Sequence, residues 1–131
     1  MAKKKTQTYW RKKADKEWSR VIRQVGHCEI CETIGKHTTT GLCAHHLIEK
    51  GGTGATKFRH DLSNGVCVCR YHHTMGKDIT CHGGMRAVEA FRDWMQVNRS
   101  GQWEWYESNK EDKRFVKMDY EQIYYSLKVI E

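Results

Sequence analysis

The chain has no proline among its 131 residues, so no Pro-rich linker divides it, and its length suits a single domain. Long apolar runs are missing too. No segment approaches the roughly 20 apolar residues that a membrane-crossing helix needs. The lysines of the opening MAKKK are not followed by the apolar stretch of a secretory signal. Internal repeats are absent. Acidic residues are the scarcer charge, with 16 Asp and Glu against 23 Lys and Arg and a formal net charge of +7. The excess gathers early, in MAKKK and WRKKADK. Such a balance admits a polyanionic partner, or a merely solvated basic tail, and says nothing about fold.

What the chain does hold is six cysteines and eight histidines, all of them between residues 27 and 83. A reducing cytoplasm is the expected compartment, and there paired cysteines read as metal ligands before disulfides. A chain this small gains from a structural metal as a staple.

The flanks read as helical supports. Trp10, Ala14, Trp18, Val21, Ile22 and Val25 follow helical spacing with Arg and Lys between them, predicting a basic amphipathic helix over 9–25 that Gly26 stops. Residues 1–8 are expected to form a basic tail. Val88, Phe91, Trp94 and Met95 predict a second helix over 86–97. GQWEWYE alternates apolar and polar, predicting a strand with RFVKM as its partner. Asp119 is placed to cap a last helix bearing Tyr120, Ile123, Tyr124, Leu127 and Ile130.

Between the flanks, LCAHHLI (42–48) and GVCVC (65–69) are short β-prone runs joined by glycine-bearing polar sequence. They predict a hairpin with a long connection, followed by a helix over 70–77 that ends near Gly76. The architecture expected is α+β, a small metal-stapled centre flanked by N-terminal and C-terminal helices.

Cys28-Glu-Ile-Cys31 is a knuckle that turns two thiolates back onto one ion, and Cys69-Arg-Tyr-His72 repeats its spacing. Three Cys and one His suit tetrahedral zinc. Cys81 stands as an alternative to His72. Cys43 and Cys67 lie within the β-prone runs and are expected as small buried residues.

Two histidine doublets remain, His45–His46 and His72–His73. Strand neighbours point to opposite faces unless the strand end is kinked, and helical neighbours differ by about 100°. One member of the second doublet can therefore face a zinc while the other faces elsewhere. His45, His46, Asn64 and His73 are then expected to converge on one side of a strand–strand–helix unit. His27, His37, His60 and His82 are expected to be satisfied or solvated side chains; His60, which lies in the active-site loop, could also touch phosphate.

At CEIC, AHHLI, Asn64 and CRYHH the chain resembles the HNH nucleases, whose core is the ββα-metal fold. The likeness spans roughly residues 28–73 and departs at His72, where members with a zinc knuckle usually carry a second Cys. It implies a metal-dependent endonuclease leaving 5′-phosphate and 3′-hydroxyl ends. His46 would be the general base, and Asn64 would orient it or fix the loop that carries it. His45 and His73 would hold one divalent cation, Mg²⁺, Mn²⁺ or Ni²⁺, beside a structural Zn²⁺ at Cys28, Cys31, Cys69 and His72. Imidazole titrates in the range that water activation requires. TYWRKKADKEWSRVIRQ before CEIC and FRH before Asn64 also look like phage recombination endonucleases of the Rap (NinG) kind. That likeness implies a phage origin, a host cytoplasm and double-stranded or branched DNA as the partner.

GGTGATK (51–57) lacks the GxxxxGK[ST] frame of a nucleotide-binding loop. It reads as a connection across the active site, from which Lys50, Lys57 and Arg59 could track a DNA backbone, with Arg70 beyond the second strand. Trp103, Trp105 and Tyr106 are expected in a core, although they also offer faces on which bases stack. The rival functions are a zinc-stabilised DNA-binding module without catalysis and an RNA-directed nuclease. The first of these predicts indifference to His46→Ala.

Overall fold

The computed structural model describes residues 4–131; the first three residues, part of the expected basic tail, lie outside the described part. Helix α1 spans Gln7–Ile22 and begins where Thr6 Oγ1 accepts a hydrogen bond from the Tyr9 amide at 3.2 Å. A single turn of 3-10 helix, Arg23–Val25, prolongs it to Gly26, whose φ of 81° ends the helical path as expected. The helix buries Ala14 and Trp18. A short helix α2, Glu29–Thr33, follows with Cys28 at its N-cap.

The hairpin forms where expected. Strand β1, Leu42–His46, pairs antiparallel with β2, Gly65–Cys69, with His45 opposite Val66 and His46 opposite Gly65. Gly65 has a steric reason to be glycine. A Cβ there would collide with Ile22 and come within 2.8 Å of the Trp18 ring, so α1 lies directly on the strand. The long connection contains two 3-10 turns, Ala55–Phe58 and Leu62–Asn64.

After β2 the expected helix over 70–77 is instead a π-helical turn, Tyr71–Met75, closed by the Gly76 amide on the Tyr71 carbonyl at 2.6 Å. An α-helix does not continue because the carbonyls of His72 and His73 accept from the amides of Cys81 and His82, each at 2.9 Å. The returning segment thus takes the bonds that the next helical turn would need.

Helix α3, Met85–Asn98, buries Ala87, Phe91, Trp94 and Met95. GQWEWYE is not a strand. It lies in helix α4, Ser100–Asn109, which restarts immediately after a bend at Arg99. Its partly buried side chains include Gln102, Trp103, Tyr106 and Asn109, a helical spacing that the Trp103/Trp105 alternation masked. RFVKM pairs with nothing as a strand, and Phe115 and Val116 are exposed. Helix α5, Tyr120–Lys128, starts with the Asp119 carboxylate accepting from the Gln122 amide, as expected. Tyr124 and Leu127 are buried in α5, which packs on α1. Arg20 secures the contact by donating to the Leu127 and Ile130 carbonyls at 3.1 and 2.9 Å.

The core lies between the hairpin, α2 and α3, where Ile30, Val66, Val68, Phe91, Trp94 and Met95 surround Cys28, Cys31 and Cys69. No helix among the described residues is long and apolar enough to cross a membrane.

Candidate metal centres and active site

The knuckle forms because the Cys28 sulfur accepts from the Cys31 amide at the start of α2. This fixes both sulfurs on one side of the helix. The end of β2 delivers Cys69, and the π-helical turn brings His72 over the trio. His72 Nδ1 lies 3.6, 3.4 and 3.5 Å from the sulfurs of Cys28, Cys31 and Cys69, while the Cys31 and Cys69 sulfurs are 3.9 Å apart. Tetrahedral bonds of ~2.3 Å to sulfur and ~2.0–2.1 Å to nitrogen place neighbouring donors about 3.5–3.8 Å apart. The four buried side chains therefore form a group able to hold a metal such as zinc. Burial pushes the Cys28 thiol up, so a proton leaves when an ion takes that sulfur.

Cys81, the alternative to His72, is buried but outside this group. Burial raises its thiol and that of Cys67, the latter to about 11. Cys67 is a buried core residue, as expected of it, while Cys43 is half-buried on β1.

A second group comprises His45, His73 and His82, whose donor atoms lie within 4.8 Å of one another. His45 comes from β1 and is 6% exposed, with Phe91 edge-on to its ring at 5.5 Å. His73 comes from the π-helical turn, and its ring centroid is 5.5 Å from that of His45. His82, expected to be a bystander, is the third member, 4.8 Å from His45 and 4.9 Å from His73 between ring centroids. The hydrogen bond that its backbone N–H donates to the His73 carbonyl carries it there. The signal available in the sequence was its neighbour Cys81, which already suggested that CHGG returns to the metal-bearing centre. Burial, reinforced by the imidazoles of His82 and His73, lowers His45 to about 3. Burial also lowers His73. Both are thus neutral near pH 7, the state in which imidazole donates to a metal.

His46 points to the other face of the hairpin, where Trp18 of α1 stacks on it with centroids 3.9 Å apart and planes 11° from parallel. Its Nε2 lies 2.9 Å from the Arg59 carbonyl oxygen. A carbonyl only accepts, so Nε2 carries the proton and Nδ1 keeps the lone pair. Burial lowers the ring's pKa, the Arg59 carbonyl opposing it. His46 and His45 nonetheless border one hollow together with His73, His82, Glu49 and Lys50.

Arg59 is held in turn. Its guanidinium makes two bonds of 2.8 Å to the Asp15 carboxylate on α1, and His60 Nε2 donates to the same carboxylate at 2.7 Å. Arg59 therefore serves as a brace, and the buried His60 is neither solvated nor fully satisfied as expected: its Nε2 bonds Asp15 while its Nδ1 has no hydrogen-bond partner. Lys57 is likewise engaged, donating to Asp112 at 2.8 Å and to the Arg114 carbonyl at 2.5 Å. Neither cation is free to run along a nucleic-acid backbone as expected. Lys50 and Arg70 are exposed; Lys50 borders the histidine hollow, whereas Arg70 lies on the zinc-type side beside Lys36 and Tyr71.

Asn64 is fully buried and touches neither histidine doublet with a hydrogen bond. Its side-chain oxygen accepts from the Ile48 amide at 2.6 Å, and its nitrogen donates to the Ile48 and Phe58 carbonyls, each at 3.1 Å. It ties together the two ends of the connecting segment, the loop-fixing alternative of its two expected roles. Trp103 and Tyr106 pack on each other at 4.8 Å, and Trp105 lies edge-on to Phe58.

Comparison of the chain with family models, with curated proteins and with solved structures found no match.

Proposed function

We propose that this protein is a metal-dependent DNA endonuclease of the HNH kind, with His46 as general base and His45, His73 and His82 as the seat of one divalent cation. The observation that carries this reading is the Arg59 carbonyl on His46 Nε2. It selects the tautomer whose Nδ1 can take a proton from water, beside a hollow that three further imidazoles border.

Each group then has a part. His45, His73 and His82 would hold the cation, which would supply Lewis-acid stabilisation of charge on the leaving 3′ oxygen. His46, neutral at pH 7, accepts the proton of the attacking water, and its stacking on Trp18 keeps the ring from turning. Asn64 and the Asp15–Arg59 brace hold the loop that orients His46. The Cys28, Cys31, Cys69 and His72 group is assigned a structural Zn²⁺ that pins the hairpin to α2. An all-imidazole donor set suits Mn²⁺, Co²⁺, Ni²⁺ or Zn²⁺ better than Mg²⁺. The resemblance to HNH nucleases implies 5′-phosphate and 3′-hydroxyl products.

The test is cleavage of supercoiled plasmid and of a four-way junction by zinc-loaded protein, with Mg²⁺, Mn²⁺ or Ni²⁺ added. Cutting that requires the added cation and vanishes in His46→Ala supports the reading. If no added ion produces cutting of DNA or RNA, the protein is a zinc-stabilised binding module instead.

A further inference from the structure

We infer that an unpaired nucleic-acid strand leaves the active site along a groove lined by Arg92, Tyr106, Lys110 and Lys113, and stacks on Phe115 at its far end. This deepens the nuclease reading and rests on it.

The groove consists of two joined hollows. One, of about 280 Å³, contains His45, His46 and His82; the other, of about 320 Å³, reaches Lys110 and Lys113. The two adjoin along a border of Leu47, Glu49, Arg92 and Tyr106, which line both. Its outer end is fastened to the active-site loop. Lys57 bonds Asp112 and the Arg114 carbonyl, and Gly54, at φ 69°, faces the Lys113 backbone where any Cβ would collide. The segment carrying Phe115 therefore keeps a set position relative to the strand end that bears His46.

Charge and exposure indicate the occupant. Arg92, Lys110 and Lys113 line the groove against two carboxylates, Glu49 and Asp112. Asp112 is already shared by Lys57 and Arg114, and Lys110 pairs with Glu107 on α4 at 2.6 Å. A positive excess remains, which suits phosphates. Phe115 is 80% exposed and stands between exposed Arg114 and Lys117. An exposed aromatic ring among cations, two residues beyond the groove-lining Lys113, matches how single strands are bound, with cations on the backbone and aromatic faces on the bases. Paired DNA keeps its bases stacked inside the duplex and offers Phe115 nothing comparable.

The experiment uses full-length, zinc-loaded His46→Ala protein and short fluorescent oligonucleotides, single-stranded and duplex. Phe115→Ala should weaken single-strand binding about 5- to 150-fold while leaving duplex binding unchanged, the range expected for one stacked base. Lys113→Ala should lower the salt slope for the single strand by about 0.7, one phosphate contact. Tryptophan emission of a Phe115→Trp variant should be quenched as the strand saturates the protein. Unchanged single-strand affinity in Phe115→Ala, with no emission change in Phe115→Trp, overturns the track and leaves Phe115 as a contact for a protein partner. That result spares the nuclease reading, whereas failure of the His46→Ala protein to bind any nucleic acid sinks both.

Discussion

His72 and His73 are consecutive, yet they belong to different centres. His72 Nδ1 lies within 3.6 Å of three cysteine sulfurs, whereas His73 joins His45 and His82. The π-helical turn and the return of Cys81 and His82 along it produce the division. Substituting the two residues should therefore give unlike results. His72→Ala removes a ligand from a centre buried in the core, and structural zinc is worth ~10–16 kcal/mol in small domains. That compares with a typical total stability of ~5–15 kcal/mol. Zinc content should fall and cooperative thermal unfolding should disappear. His73→Ala should keep its zinc and its unfolding transition but lose cleavage. Elemental analysis alongside calorimetry distinguishes the two.

In the proposed nuclease the cleavage rate should depend on pH through His46. A general base works in its neutral form, and burial lowers this imidazole from its ordinary value. The single-turnover rate should be flat through neutrality and fall in acid, with its midpoint below ~6.5. His46→Ala should cost about 10²- to 10⁴-fold at pH 7 and abolish that limb. A midpoint above 7 would mean that another group limits the reaction.

Helix α1 reaches His46 through Trp18 and, by way of Arg59, Asp15. Trp18 stacks on His46 and donates its Nε1 proton to the Asp61 carbonyl at 2.9 Å. Trp18→Phe keeps an aromatic face while losing the bond. It should lower the catalytic rate by less than tenfold, whereas Trp18→Ala should destabilise the fold by ~3–5 kcal/mol as well. Rates compared at equal folded fraction, from chemical denaturation, separate positioning from folding.

Asp15 gives a pH-dependent contribution to stability. Burial opposes its ionisation, but hydrogen bonds from Arg59 and His60 prevail and hold the carboxyl well below the usual range. The folded-state pKa is depressed relative to the unfolded chain. The stabilisation is therefore complete above about pH 4 and is lost as the pH falls through the folded value. Asp15→Asn should cost ~1–3 kcal/mol at pH 7 and flatten the acid dependence of denaturation midpoints between pH 5 and 2 on the order of that amount.

Asn64 makes its three hydrogen bonds to one amide and two carbonyls. Asn64→Asp keeps the acceptor but sets a carboxylate against the Ile48 and Phe58 carbonyls. It should destabilise by ~2–4 kcal/mol and slow cleavage without altering zinc content. An Asn64→Asp protein of unchanged stability would leave the loop-fixing role without support.

How much was legible before folding varies with the range of the interaction. α1 with its stop at Gly26, the two strands, the Asp119 cap and the Cys28/Cys31/Cys69/His72 group rest on local spacing. Helix α4 is not legible because Trp103 and Trp105 alternate over too few residues to distinguish period 2 from 3.6, and only tertiary contacts such as those of Gln102 with the Ser63 and Gly65 carbonyls decide it. His82 was missed because it reaches the site through a backbone bond to a residue nine positions earlier.

The linear order of residues was enough to specify the donor chemistry: the thiols, the paired imidazoles and a hairpin to carry them, since ligand identity and short spacings are properties of the chain itself. Folding alone chose which cations stay free. Asp15 and Asp112 come from elements distant in sequence, and by meeting Arg59 and Lys57 they turn two basic side chains into braces. Long-range carboxylates leave no trace beside the residues they neutralise, so that choice belongs to tertiary structure.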